Sequence, residues 1–154
     1  MIILGIDPGN EQTAYALVKD NYEIIEAGKV DNLKMRKIIR TANFDLIALE
    51  SIQSYGMPVG RTTFETCFMI GRIIQMAVDR KIRHYLYPRP KIAQSLVGQG
   101  GKYNDTTVRQ ALLVRFGGDK RGEPMNKLKG GGSDKRSAYA VAVYHLDGAK
   151  LGGW

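Results

Sequence analysis

A mixed five-stranded β-sheet with helices on both faces is the fold class this sequence predicts. Three patterns predict it. Short apolar runs that end in turn or charged residues alternate with longer segments of helical periodicity. The first three strand-like segments are separated only by turn residues, as in a hairpin-linked meander. The resulting order, β-β-β-α-β-α-β-α-α-α, sets antiparallel strands beside strands that need helical crossovers.

Residues 1–7 form a short apolar run closed by Asp7-Pro8-Gly9, a buried strand followed by a turn. Residues 13–18 alternate as a second strand, and residues 22–30 make a third after the turn at Asp20-Asn21. A helix over 32–43 places Leu33, Met35, Ile38 and Ile39 against Lys34, Arg36, Lys37 and Arg40. Residues 46–50 are a buried strand whose last residue is Glu50. Gly56, Pro58 and Gly60 make 51–61 a loop. The longest helix, 62–80, is apolar almost all round between Cys67 and Ile74, which requires cover on two sides. A fifth strand at 84–87, a short helix at 90–96 and a loop at Gly98, Gly100 and Gly101 follow. Helix 106–116 carries one apolar stripe of Val108, Leu112, Leu113 and Phe116. Residues 117–133, with six glycines and several lysines and arginines, are expected to be a long mobile basic loop. A last helix runs over 134–146. There is no repeat and no linker, so residues 1–154 are expected to form one domain.

Net charge is +8, unevenly spread. Residues 80–136 hold fourteen Lys/Arg against four Asp/Glu, whereas residues 1–79 hold eight against ten. A basic half beside a near-neutral half fits a polyanion-binding face, since each neutralised phosphate releases counterions. The single cysteine, Cys67, has no partner for an internal disulfide, and its apolar surroundings predict a buried, reduced thiol. Asp7-Pro8-Gly9 interrupts the first apolar run, and no stretch approaches the roughly 18 apolar residues that span a bilayer. The expectation is a soluble cytoplasmic protein with no membrane partner.

Asp7 and Glu50 both end apolar strands, where reactive groups gather in open α/β sheets. Asp134 opens the last helix beside a flexible loop. If the strands are neighbours, the three carboxylates converge and repel unless a cation lies among them, and hard oxygen ligands suit Mg²⁺ or Mn²⁺. Taken singly, each acid has a structural reading: Asp7 as a turn former, Glu50 as a strand-end surface charge, Asp134 as a helix-start acid.

Gly5-Ile-Asp-Pro-Gly9 followed by Thr13-Ala-Tyr15 resembles the opening of the RuvC-type Holliday junction resolvases. Leu49-Glu50 matches the family's second acid, and Val97-Gly98-Gln99-Gly100 its glycine-containing DNA-facing loop. The small-residue segment from Ser137 to His145 is similar to its final helix. The resemblance covers nearly the whole chain in order, and the short chain looks like a phage-type member. It implies an RNase H-like fold and a homodimeric, Mg²⁺- or Mn²⁺-dependent endonuclease selective for four-way and other branched DNA, acting in recombination, repair or phage DNA processing. For a phage protein the compartment is the host cytoplasm. The implied catalytic set is Asp7, Glu50, Asp134 and position 137, with Asp7, Glu50 and Asp134 on the metal.

Two departures stand out. Where the family has an aspartate three residues after its helix-start acid, this chain has Ser137, on the same face as Asp134. A hydroxyl is a weaker ligand, so activity is expected to be reduced or abolished, and the alternative reading is a branched-DNA-binding protein that cleaves little. In the glycine loop the basic residues do not align, with Lys102 the nearest substitute and Asp105 near a position expected to be basic. Tyr55 either stacks on an unpaired base at the junction or caps the core edge. Lys127, Lys129, Lys135 and Arg136 are assigned to phosphate, with Gly98, Gly100 and Lys102 on the DNA face. Phe64, Phe68, Ile74 and Val78 leave apolar surface for a homodimer through helix 62–80. His84 and His145 lack zinc-site spacing and read as structural, while the terminal Trp154 is uninformative.

Overall fold

The computed structural model describes residues 1–151. Trp154 lies outside them. Strands β1 (Ile2–Asp7), β2 (Gln12–Lys19) and β3 (Ile24–Asp31) form the expected meander, followed by α1 (Asn32–Thr41), β4 (Leu46–Ser51), α2 (Arg61–Asp79) and β5 (Arg83–Pro88). Helices α3 (Arg89–Val97), α4 (Asp105–Phe116) and α5 (Asp134–Lys150) complete the order, with a 3₁₀ turn at Pro124–Leu128. The strands lie in the order β3-β2-β1-β4-β5. β1 is antiparallel to β2 and β2 to β3, whereas β1, β4 and β5 run parallel. This is the RNase H-like arrangement.

Side-chain alternation divides the core into two layers. Leu4 and Ile6 of β1 and Ile47 and Leu49 of β4 face α1 and α2. Ile3, Leu46 and Ala48 face α5 and, beyond it, α3 and α4. Gly5 and Asp7 in β1, and Glu50 in β4, follow the second set by the same period of two. Helix α5 is the innermost helix, buried continuously from Ser137 to Val143 and again at His145 and Leu146. Its alanines let it lie almost on the sheet. A Cβ added at Gly5 would come 2.1 Å from the carbonyl oxygen of Ala138, so only glycine permits this approach.

Three expectations are corrected here. Cys67 is exposed, because α2 turns Met69, Ile73 and Met76 to the sheet and Cys67 to the opposite side. For the same reason α2 is covered by this chain on one face only, and Phe64, Phe68 and Val78 stay exposed, while Ile74 packs at the core edge. The segment 117–133 is also not wholly loop. Met125 and Leu128, three residues apart on the 3₁₀ turn, are buried in the α5 layer.

Candidate functional site

The parallel register pairs Ile6 with Leu49, so Asp7 and Glu50 directly follow a bonded pair at the same sheet end. Alternation turns both side chains to the α5 face. The Gly5–Ala138 contact fixes how α5 passes β1, and Asp134, one turn before Ala138, comes to the same end. The β1–β2 turn beyond Asp7 is held by Asn32, whose amide donates to the carbonyls of Gly9 (3.0 Å) and Asn10 (2.9 Å). The buried Thr13 hydroxyl donates to the Asn32 side-chain oxygen at 2.7 Å. Thr13 thus positions the turn. Tyr15 donates to Glu26 and fills the gap left by the cross-strand Gly28.

Electrostatics register this crowding. Burial, then the charges of Glu50 and Asp134, push Asp7 up to about 8. Burial also raises Glu50, with the Arg89 guanidinium beside it opposing and Asp105 adding to the rise. The carboxylates are partly answered from within the chain. Lys29 on β3 meets Asp134 at 2.5 Å. Arg89, at the start of α3, meets Glu50 at 3.5 Å and Asp105 at 2.6 Å. Among the described residues no three acidic, histidine or cysteine side chains stand together as a finished cation cage. Three carboxylates at one sheet end, one of them pushed up first by burial and then by the charges of the other two, are nonetheless the oxygen donors that suit a hard divalent ion. Gathering them requires Glu50 and Asp134 to leave their basic partners.

Glu50 opens into a cleft lined also by Tyr55, Arg89, Tyr103, Asp105 and Ser137. Tyr55 is exposed there, its hydroxyl 3.4 Å from Gln53. Ser137 is 9% exposed, and its hydroxyl has no hydrogen-bond partner among the described residues. Gly98 and Gly100 both adopt positive φ, 90° and 79°, with open space where a Cβ would lie; their role is the turn itself. Lys102 and Lys129 are exposed. Lys135 lies against the same loop, donating to the Lys129 carbonyl at 2.6 Å. Lys127 is tied elsewhere: its ammonium donates to the carbonyls of Ile24 (2.6 Å) and Ile25 (3.2 Å) on β3. The Arg136 Nε is buried without a partner. His145 bonds the Tyr87 hydroxyl at 2.8 Å inside the core, where burial lowers its pKa.

Sequence reasoning missed Lys29 and Arg89, the cations set against Asp134 and Glu50. Arg89 carried a usable signal, since it follows β5 just as Glu50 ends β4. Lys29 carried none, because its approach to Asp134 spans three elements.

No family model matches the chain, and no curated protein matches it in sequence. Solved structures do. RuvC from Thermus thermophilus superposes with a TM-score of 0.74 over 99% of this chain and 98% of that one, at 16% identity. The chain has the RuvC fold. The same RuvC in complex with a Holliday junction substrate matches at TM-score 0.69, with the same coverage and identity. The Fowlpox virus resolvase, solved with substrate Holliday junction DNA, matches at 0.61 over 97% of this chain and 99% of that one, also at 16% identity. On the RuvC fold of this chain, the sheet end bearing Asp7 and Glu50 is the acidic end. Among the described residues no helix is long and apolar enough to cross a membrane.

Proposed function

We propose that this chain is a divalent-metal-dependent endonuclease that binds four-way and other branched DNA junctions and hydrolyses their phosphodiesters, in recombination or phage DNA processing. The observation that carries the reading is that Asp7, Glu50 and Asp134 lie at one sheet end, near enough for the charges of Glu50 and Asp134 to add to burial in pushing Asp7 up to about 8. The shared fold with two proteins solved on junction DNA supports the substrate class.

Asp7, Glu50 and Asp134 would hold Mg²⁺ or Mn²⁺. When bound, such ions offset the charge that builds on the phosphate and on the leaving oxygen. The chain's own groups do the rest. Asp7 must give up its proton to bind a cation, so the site assembles more readily as pH rises. Lys29 and Arg89, once released from Asp134 and Glu50, are placed to meet phosphate oxygens. Lys102, Lys129 and Lys135 hold flanking phosphates, and Gly98 and Gly100 let the loop approach the backbone. Lys127, bound to β3, takes no direct part, while Arg136 carries a guanidinium nitrogen still seeking a partner. Tyr55, exposed on the cleft, stacks on an unpaired base.

A second reading, junction binding with little cleavage, is favoured by Ser137, which offers a hydroxyl where a carboxylate would bind a cation better. A synthetic four-way junction separates the two. Cleavage in Mn²⁺, abolished in Asp7→Asn while gel-shift binding in EDTA persists, supports the nuclease. Binding without cleavage under any divalent ion, from the chain as it stands, supports the second reading. Asp7→Asn cleaving at full rate would overturn the assigned site.

A further inference from the structure

We propose that the cleft beside Glu50 receives one unpaired nucleobase of the branched DNA, and that Tyr103, at its mouth, is the residue on which that base stacks. The inference rests on the nuclease reading above and names the part of the substrate that enters this cleft.

The cleft has a volume of about 210 Å³ and changes character with depth. Its inner wall is Ile92 and Ala93 of α3, Val108 of α4 and Ala140 of α5, and all but Val108 are buried in the core. At the mouth Arg89 lies 3.5 Å from Glu50 and 2.6 Å from Asp105, so the charges there answer one another. The wall behind them offers an ion no partner, and it suits a flat uncharged ring. An apolar cavity of ~150 Å³ is enough to hold benzene, so the cleft has room for one pyrimidine-sized ring. Tyr103 is 43% exposed although the chain is fixed on both sides of it. The Thr107 hydroxyl donates to the Lys102 carbonyl at 2.5 Å and accepts from the Asn104 amide at 3.1 Å. The Tyr103 hydroxyl itself donates to the Gly98 carbonyl at 3.1 Å, across the glycine turn. The ring is thus already positioned while much of its surface meets water, and little freedom is lost when a base stacks on it. Tyr55, from the loop after β4, lines the same cleft, and the neighbouring Lys102 is exposed for a phosphate of the same strand. A branch point is where a base leaves its stack at least cost, because regular stacking is interrupted there.

The competing role for Tyr103 is a staple of the turn at residues 98–101 and nothing more. Ring and hydroxyl separate the two roles: Tyr103→Phe keeps the ring and loses the bond to Gly98, whereas Tyr103→Ala loses both. Gel shifts in EDTA compare the variants on a synthetic four-way junction and on linear duplex. Tyr103→Ala is expected to weaken junction binding about 10-fold and to leave duplex binding unchanged, while Tyr103→Phe binds both as the unsubstituted chain does. A direct contact is read by placing 5-iododeoxyuridine in turn at each nucleotide flanking the branch point. Under long-wavelength ultraviolet light it should crosslink to Tyr103 from one of those positions. No crosslink to Tyr103 from any of them overturns the proposal. So does Tyr103→Phe losing as much as Tyr103→Ala, or Tyr103→Ala weakening junction and duplex alike. If the unsubstituted chain prefers the junction and Tyr103→Ala keeps that preference, the inference fails and the nuclease reading survives. If the unsubstituted chain binds junction no better than duplex, the two fall together.

Discussion

Asp7 is the residue at which folding and function oppose each other. Its carboxyl is buried beside Glu50 and Asp134, and its pKa rises to about 8 from an ordinary 3.8. An acid whose folded pKa is raised binds its proton more tightly folded than unfolded. Stability is therefore greatest below about pH 4 as far as this group is concerned, and falls as pH climbs from there towards 8. Each pKa unit corresponds to ~1.4 kcal/mol, so the loss is several kcal/mol before relaxation of the site reduces it. In EDTA, thermal unfolding is expected to shift to lower temperature between pH 5 and pH 9. Asp7→Asn should flatten that slope and be the more stable protein at pH 9, and Mn²⁺ should flatten it too. A slope identical in Asp7→Asn would show that Asp7 is not the strained group. The three acids were legible in the sequence because position alone marks them: two strand ends and one helix start. Their partners were not. Lys29 and Asp134, or Arg89 and Asp105, meet only once the sheet and its helices are packed, and so do the Lys127 ammonium and the β3 carbonyls.

The pairing of β1 with α5 holds the acidic end together. Gly5 has no side chain where α5 passes, and a methyl there would strike the Ala138 carbonyl and crowd the Ala142 methyl at 3.0 Å. Backbone gives way far less readily than a flexible side chain. Gly5→Ala is expected to cost at least ~1–3 kcal/mol, the usual range for overpacking a core. It should also lower cleavage beyond what lost stability explains, because it moves the strand of Asp7 and the helix of Asp134 apart. Chemical denaturation together with Mn²⁺ affinity measures both effects. An alanine variant of unchanged stability would mean that α5 sits farther from the sheet. All eight regular elements through α3 were legible to within two residues from alternation and helical period. What escaped was burial. Helices α2 and α5 are both apolar around much of their circumference, yet only α5 is enclosed, because its alanines can approach a strand glycine. The 3₁₀ turn at Pro124–Leu128 was hidden among glycines, its one signal being Met125 and Leu128 three apart.

For the molecule as a whole, two surfaces remain to be matched with partners. The first is basic. Several arginines of the basic half are already committed, Arg109 to Asp119 and Arg115 to Asp147, so fewer charges reach phosphate than composition implies. Junction affinity should still fall with log salt at about −0.9 per phosphate contact. Replacing Lys102 and Lys129 with alanine should lower that slope by roughly one unit each, whereas Lys127→Ala should leave it unchanged. The second surface is the outer face of α2. Phe64 (52%), Phe68 (61%) and Val78 (53%) are exposed along one stripe, with Cys67 beside them. Gly71 lies on the same helix with open space where its Cβ would be, so a second helix meets no obstacle there. A two-fold pairing through this face would bury the phenylalanines twice over and present two identical acidic ends to a substrate that itself approximates two-fold symmetry. Phe68→Glu tests it without touching the site. The charge points to water in a monomer and should leave the fold intact, but two such charges facing each other across a dimer oppose association. Sedimentation is expected to show a dimer at micromolar concentration for the unsubstituted chain and a monomer for Phe68→Glu, with the melting temperature of the latter lowered and independent of its own concentration. A monomer in both, with and without junction DNA, would mean that α2 meets something other than its own copy.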